Sequence, residues 1–159
     1  MEQKQPVKRK RRWGDRYDGR RLRSLDAFSR VSPYIMVTRN TSSNHFMDTI
    51  DIDEIERYIR HKRNDDGLVG FGIMHVLIAA YVRSLSQKPA VNRFIAGQKI
   101  YARNSVQINL TVKREMRSDA LETVIKISPK LDATATEVYE LIKKEIDLSK
   151  NNNQSDFDK

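Results

Sequence analysis

Residues 71–87, FGIMHVLIAAYVRSLSQ, form the most hydrophobic stretch of this chain. Apolar side chains occupy nearly every position from Ile73 to Val82, and Arg83 is the first charged residue after them. A helix that is apolar on all sides is typical of a protein core. Because Pro89 ends such a helix, we expect one buried helix that forms the central packing element of the fold.

Alternating patterns after this helix predict a β-hairpin. Residues 106–112 alternate apolar and polar side chains with a period of two, which is the pattern of a half-buried strand. Residues 121–127 repeat the alternation, and Ser118-Asp119 between the two runs is turn chemistry. A further short strand is expected at residues 98–102.

Capping signals predict two amphipathic helices. Asp51 is followed by Glu54, which is the spacing of a capping box, and the helix that begins there is expected to end near residues 64–67. Thr134 and Glu137 have the same spacing before the last helix. Extended segments are expected at residues 35–38 and 45–50. The apolar faces of the two helices are Ile52, Ile55 and Ile59 in the first and Val138, Leu141, Ile142 and Ile146 in the second.

The positive charge of the chain is concentrated at one end. Of the net charge of +9, residues 1–23 supply +7, with ten Lys or Arg and three acids. We expect residues 1–12 to be mobile and 13–23 to be partly docked, with Trp13 and Tyr17 lying on a neighbouring surface. A charge run of this kind is typical of a solvated or partner-docking tail, but contacts with nucleic acid or with an anionic membrane stay open.

The composition excludes several classes of protein. The 159 residues contain no cysteine, so disulfides, thiolate metal sites and cysteine nucleophiles are excluded. No apolar run approaches the ~20 residues of a membrane-spanning helix, and no secretory signal is present. We therefore expect a single-domain cytoplasmic protein without a membrane span. The expected organisation is a basic arm at 1–23, a folded domain at 24–148 and a disordered polar tail at 149–159.

Three histidines are the only candidates for a general base. His75 lies within the apolar helix, where a neutral core histidine is the favoured interpretation over a base. His61 precedes Asp65 by four positions, but Asp66 stands where a His-x-x-x-Asp-Gly signature has glycine. His45 follows a turn and faces either solvent, which we favour, or a cleft. No phosphate-binding glycine loop, zinc signature or nucleophile elbow is present, and no metal site is predicted.

Three stretches of sequence resemble the first half of the chloramphenicol-acetyltransferase-like superfamily. They are HFMDTIDIDEIERYIRHKR at 45–63, HVLIAAYVRSLSQKPAVNRFIAGQKIYARNSVQINLTVKR at 75–114, and ETVIKISP at 122–129. The similarity covers residues 13–148. Its most specific part is QKPAVNRF at 87–94, followed by Gly97. The nearest branch is that of small bacterial proteins related to the catalytic domain of 2-oxoacid dehydrogenase dihydrolipoyl acyltransferases.

This resemblance implies an α/β fold, a two-layer sandwich with a mixed sheet, in a trimer whose active sites lie at subunit interfaces. It implies acyl transfer between a coenzyme A thioester and an acceptor hydroxyl or thiol. In the family, a histidine acts as general base and a serine or threonine hydroxyl stabilises the oxyanion. Within this chain, the resemblance places Asn44, His45 and Phe46 on the acceptor side and gives Asn92 and Arg93 a structural role.

The sequence lacks the elements that carry out catalysis in this family. The family's His-x-x-x-Asp-Gly element and its oxyanion-stabilising hydroxyl lie in the second half of the domain, and no residue here matches either one. We therefore expect a chloramphenicol-acetyltransferase-like domain that is incomplete at its C-terminus, has no catalytic residue of its own, and trimerises only if the missing half is supplied.

The alternative is a non-catalytic interaction module in which residues 1–23 bind an acidic partner or nucleic acid. An incomplete sheet would also leave an unpaired edge and an exposed apolar face. We therefore expect the isolated chain to aggregate, to be marginally folded or to depend on a partner.

Overall fold

A computed structural model of the chain describes residues 10–113 and 122–151. The described residues form two compact units. The first unit contains the described residues up to His45 together with Ala90–Asn104. The second unit contains Phe46–Pro89 and the described residues from Ser105 onward. Both units combine helices with antiparallel strands, so the predicted α/β class is confirmed at this level.

The first unit is a three-stranded antiparallel sheet with one helix. Strand β1 is Gly19–Arg21, helix α1 is Ala27–Ile35, strand β2 is Arg93–Ala96 and strand β3 is Lys99–Arg103. The strand order is β1-β3-β2, with β3 in the centre. The strand expected at residues 98–102 is therefore present with a shift of one residue, whereas β2 was not predicted.

A tight turn explains why β2 and β3 pair. Gly97 and Gln98 have φ angles of 53° and 59°, which is the left-handed conformation that two-residue hairpin turns require. Glycine adopts this conformation without steric cost, and Gly97 therefore fixes the register in which Ala96 faces Lys99. This short hairpin carries only four residues in β2, too few to show a clear alternation in the sequence.

Helix α1 corrects the expectation of an extended segment at residues 35–38. Asp26 caps this helix, because its carboxylate accepts hydrogen bonds from the backbone N–H of Ser29 at 2.8 Å and from the Ser29 hydroxyl at 2.6 Å. Pro33 lies inside the helix and is buried. The helix continues to Ile35, and the chain then leaves it without forming a strand.

The strand expected at residues 45–50 is also absent, because that segment is irregular. All its side chains are exposed, and Asp48 accepts a hydrogen bond from the backbone N–H of Thr49 at 2.9 Å. Short polar side chains that bond the local backbone compete with strand pairing in this way.

The second unit contains three helices and a hairpin. Helix α2 is Asp53–Asn64, α3 is Ile73–Gln87 and α4 is Ala135–Asn151; strands β4 and β5 are Ile108–Lys113 and Glu122–Ile127. The two strands pair antiparallel, which confirms the predicted hairpin. The turn expected at Ser118-Asp119 lies outside the described residues.

The core of the second unit joins α3, α4 and the hairpin. The residues that pack together there are Ile78, Val82, Leu85, Val106, Ile125, Ile127, Val138 and Ile142. The prediction that α3 is buried all round is wrong, because only one face packs into this core. The remaining apolar side chains form an exposed stripe, named here the α3 stripe, of Ile73, Met74, Leu77 and Tyr81.

The two predicted capping boxes have different outcomes. Before α4, the Glu137 carboxylate accepts from the backbone N–H of Thr134 at 2.7 Å, and the Thr134 hydroxyl accepts from the N–H of Glu137 at 3.3 Å. Before α2, the box does not form. Asp51 instead accepts from the N–H of Asp53, and Glu54 pairs with Arg57 at 2.6 Å.

The strands are arranged differently from the implied mixed sheet. Every strand pairing within 10–113 and 122–151 is antiparallel, and the strands form two separate sheets. Over those same residues, β4 and β5 pair only with each other, so the outer edge of each is unpaired. Gly19–Arg21 is a strand within the segment expected to be partly docked, and helix α4 extends to Asn151.

Gly19 provides a test of how β1 joins the sheet. A Cβ atom at this position would lie 2.5 Å and 2.8 Å from two carbons of the Phe94 ring and 3.0 Å from the carbonyl oxygen of Ala102. The Phe94 ring cannot move freely, because it stacks on Tyr101 and lies beneath the Arg103 guanidinium.

We expect Gly19→Ala to destabilise the first unit by about 1–3 kcal/mol, the usual cost of overpacking. Amide hydrogen exchange would show faster exchange at Asn104 and Leu22, whose backbone N–H groups bond across the β1–β3 pairing to the carbonyl oxygens of Asp18 and Ile100. The control is Arg20→Ala in the same strand, where the side chain is exposed and little change is expected. Unchanged exchange in Gly19→Ala would contradict the observed packing.

Candidate functional site

The predicted acceptor-side residues lie on an exposed, irregular segment. Asn44, His45 and Phe46 are all exposed, and the Phe46 side chain is 88% accessible. The expectation that His45 faces solvent is confirmed. Asn44 and His45 belong to the first unit and Phe46 to the second. Their role in binding an acceptor stays a prediction.

Asn92 and Arg93 lie where the chain enters β2. The carbonyl oxygen of Asn92 accepts a hydrogen bond from the backbone N–H of Arg103 at 3.1 Å, and Arg93 is the first residue of β2, facing Ala102. Both therefore lie at the end of the hairpin opposite its turn. Their predicted structural role is compatible with this position, which is held by backbone bonds.

His75 is buried, as expected of a core histidine. Its side chain is 8% exposed and lies among aromatic rings, stacked on Phe71 at 5.3 Å between centroids and edge-on to Tyr139 at the same distance. The ring atom Nδ1 lies 3.0 Å from the backbone nitrogen of Gly72 and 3.1 Å from its carbonyl oxygen, so it accepts from the Gly72 N–H in one tautomer and donates to the carbonyl oxygen in the other.

This bond gives His75 a structural task. Gly72 is the N-cap of α3, and His75 is the third residue of that helix. A side chain at the third position that bonds back to the N-cap N–H is one half of a capping box. Because Nδ1 bonds to Gly72 in either tautomer, this nitrogen is not free to act as a base. The imidazole thus helps to cap the N-terminus of α3.

His61 lies at the exposed end of α2, where its Nδ1 contacts the carboxylate of Asp65 one turn later. Both side chains are exposed. The pair therefore stabilises the last turn of a surface helix, in agreement with the interpretation that His61 is not part of a catalytic motif.

Asp15 organises the described part of the basic arm. Its carboxylate accepts hydrogen bonds from the backbone N–H groups of Arg12 at 3.0 Å and Arg21 at 3.1 Å, and it pairs with the Arg23 guanidinium at 3.4 Å. Arg23 also donates to the carbonyl oxygen of Trp13 at 2.6 Å. One carboxylate thus folds the segment back onto the start of the sheet.

The aromatic side chains of the arm do not dock as expected. Trp13 is 91% exposed, and Tyr17 is exposed as well. The expectation that they lie on a neighbouring surface is wrong. The partial docking of residues 13–23 comes instead from the bonds to Asp15 and from the pairing of β1 with β3. Polar bonds to one acid hold this segment, which carries four arginines among its eleven residues.

The hydrogen bond from the Arg12 backbone N–H, followed by those from Arg21 and Arg23, lowers the pKa of Asp15 from its ordinary value. These donors stabilise the ionised carboxylate more than burial destabilises it. Asp15 therefore stays ionised to a lower pH than an ordinary aspartate does.

One concave feature was not predicted from the sequence. In the first unit, the residues that line a cavity of about 630 Å³ include four cations, Arg21, Arg23, Arg30 and Lys99. The charge run at 1–23 was visible in the sequence, but Arg30 and Lys99 lie outside it. Only the pairing of β1 with β3 brings Arg21 and Lys99 to the same cavity.

No group of three or more His, Asp or Glu residues in 10–113 and 122–151 is arranged to hold a metal ion. Over the same ranges, no helix combines the length and apolar character needed to cross a membrane.

Comparison with protein-family models, with curated proteins and with solved structures finds no match to this chain.

The structural task of His75 can be tested by substitution. We expect His75→Ala to destabilise the second unit by about 1–3 kcal/mol, because it removes a buried side chain and leaves the Gly72 N–H without its acceptor. His75→Gln should recover part of this loss, since glutamine accepts the same bond in capping boxes. Denaturant unfolding gives the values. The matched control is His61→Ala, for which little change is expected.

The relative stabilities of these variants decide whether His75 caps the helix. If His75→Ala were as stable as the chain itself, or if the glutamine variant were no better than alanine, the capping role would be wrong.

The pKa of Asp15 predicts acid sensitivity of the arm. A carboxylate whose pKa is lowered in the folded state stabilises that state above its ordinary pKa, and this contribution is lost as the pH falls through the lowered value. We therefore expect the Arg21 amide, which donates to Asp15, to lose protection only below about pH 4.

The amide chemical shift of Arg21 in an NMR titration reports this step. Asp15→Asn should abolish the titration. Asp18→Asn is the matched control, because Asp18 pairs with the Arg16 side chain and not with Arg21. A titration that persisted in Asp15→Asn would show that another group controls the arm.

Proposed function

We propose that this chain takes part in coenzyme A-dependent acyl transfer as a chloramphenicol-acetyltransferase-like protein, similar to the catalytic domain of 2-oxoacid dehydrogenase dihydrolipoyl acyltransferases. Its own residues contribute the acceptor side and the packing surface, and a separate element supplies the general base. The single observation that carries the proposal is the sequence of residues 75–114, in which the apolar helix is followed by QKPAVNRF and a strand pair.

The environments of the three histidines support the proposal that this chain does not supply the general base. A general base needs a free ring nitrogen within reach of the reacting proton. In His75, Nδ1 is occupied by the Gly72 backbone, and His61 contacts Asp65 on a surface helix. His45 is exposed on an irregular segment. None of them combines a cleft with an orienting partner among the described residues.

The α3 stripe supports dependence on further polypeptide. Leu77 and Tyr81 lie one turn apart on the same side of the helix, and both are more than half exposed. Adjacent exposed apolar side chains on a helix are typical of a surface that another element covers. In the proposed function, the element that carries the His-x-x-x-Asp-Gly motif covers this stripe, and a trimer forms once it is present.

A second candidate, the interaction module, keeps one specific observation in its favour. The Trp13 side chain is exposed within an arginine-rich segment, which suits contact with an acidic partner or with nucleic acid. Because β1 belongs to the sheet, a deletion of the whole arm would also remove this strand, so Trp13→Ala is the variant that probes this function.

The proposal is tested by reconstitution. The DNA that follows codon 159 is sequenced, and any encoded segment with the His-x-x-x-Asp-Gly element is co-expressed with this chain. We expect the pair, and neither partner alone, to transfer acetyl groups from acetyl-coenzyme A to dihydrolipoamide. Replacing the histidine of that element should abolish the transfer, because it removes the general base.

Two variants of this chain sharpen the test. Leu77→Glu introduces a charge into the α3 stripe and should weaken assembly of the pair and its activity. Arg83→Glu on the exposed side of the same helix is the matched control and should have little effect. Acyl transfer by this chain alone would contradict the proposal, and so would an assembled pair without activity.

A further inference from the structure

All the charged residues that line the cavity of the first unit are cationic. It lies between the end of β1, helix α1 and the turn that joins β2 to β3. Its cationic side chains are Arg21, Arg23, Arg30 and Lys99, and no Asp or Glu of the described residues lines it. Such a concave cluster of cations attracts anions, because the low-dielectric walls focus the field.

Most of this charge is not neutralised within the described chain. Arg23 is held by Asp15 and by the carbonyl oxygen of Trp13. Arg21, Arg30 and Lys99 form no ion pair with any carboxylate in residues 10–113 and 122–151. Three unpaired cations around one cavity repel one another, and a bound anion converts that repulsion into attraction.

The types of cation indicate which anion fits. Guanidinium groups present several N–H donors in a planar fork that matches the oxygens of phosphate, and lysine adds a point charge. Arg21 and Arg30 supply two such forks, and Lys99 the point charge. A carboxylate would satisfy one fork, whereas phosphate groups bonded to each other can satisfy several cations together.

The remaining walls and the size indicate an organic part as well. Leu25, Ile100 and the half-exposed ring of Tyr34 line the cavity beside the cations. Its volume of about 630 Å³ lies within the range of about 300–1,000 Å³ that small-molecule sites occupy. Inorganic phosphate alone would leave the apolar walls uncovered.

We infer that this cavity binds a phosphorylated organic molecule of nucleotide size, with its phosphate groups on Arg21, Arg30 and Lys99 and its organic part against Tyr34. Coenzyme A and nucleoside triphosphates belong to this chemical class. The site does not depend on the proposed acyl transfer, because its residues and its ligand class follow from the first unit alone.

The full chain is titrated by calorimetry with coenzyme A, with ATP, with inorganic pyrophosphate and with adenosine. At least one of coenzyme A and ATP should bind, with an affinity that falls as salt is added. Pyrophosphate should bind more weakly because it lacks the organic part, and adenosine should not bind because it lacks the phosphates.

Substitutions then locate the site. Arg30→Gln and Lys99→Gln should each weaken binding of the phosphorylated ligand by about tenfold, since each removes one charge-assisted contact. Tyr34→Ala should weaken the binding of ATP or coenzyme A while leaving pyrophosphate unchanged. The matched control is Arg39→Gln, an exposed arginine of the same unit that does not line the cavity, and it should bind as the unaltered chain does. Circular dichroism checks that each variant is folded.

Several results would overturn the inference. They are the absence of binding by both coenzyme A and ATP, binding that Arg30→Gln and Lys99→Gln leave unchanged, or an equal loss in Arg39→Gln, which would indicate unspecific attraction to a basic surface. Adenosine or pyrophosphate binding as tightly as ATP would also overturn it. Because none of these measurements involves acyl transfer, failure here leaves the reconstitution test unaffected.

Discussion

The packing of one face of α3 is the constraint on which the second unit depends. Val82 on this face and Val138 on α4 are fully buried, and both pack with Ile125 and Ile127 of the β4–β5 hairpin. Burial of apolar area stabilises a folded protein by about 25 cal/mol per Å², and surface ion pairs contribute little. This apolar core therefore stabilises the second unit more than its surface ion pairs do. The same face places His75 inside the unit, where its imidazole caps the helix.

The buried histidine and the exposed histidines of this chain each lack one property that a general base needs. The histidine with the most sheltered environment is His75, but its Nδ1 nitrogen is used by the backbone. The histidines that water can reach, His45 and His61, lie on exposed segments. Acyl transfer needs both shelter and a free nitrogen in one residue, which is why the proposed function assigns the base to another element.

In the first unit, polar bonds to Asp15 act together with the pairing of β1 and β3. Asp15 is the one acid that gathers Arg12, Arg21 and Arg23, and β1 adds its backbone to β3 beside them. This arrangement leaves other cations of the unit facing a shared cavity. Several cations that the sequence shows only as a charge run therefore have defined positions in the first unit.

The sequence by itself determined the elements whose signal is local. The β4–β5 hairpin follows from period-two alternation, the start of α4 follows from the Thr134–Glu137 box, and α3 follows from its apolar run. The tertiary structure alone decided which face of α3 is buried, that residues 45–50 form no strand, and that Arg30 and Lys99 line one cavity with Arg21. These outcomes depend on which segments become neighbours, and pairing between distant segments leaves no periodic signal in either of them.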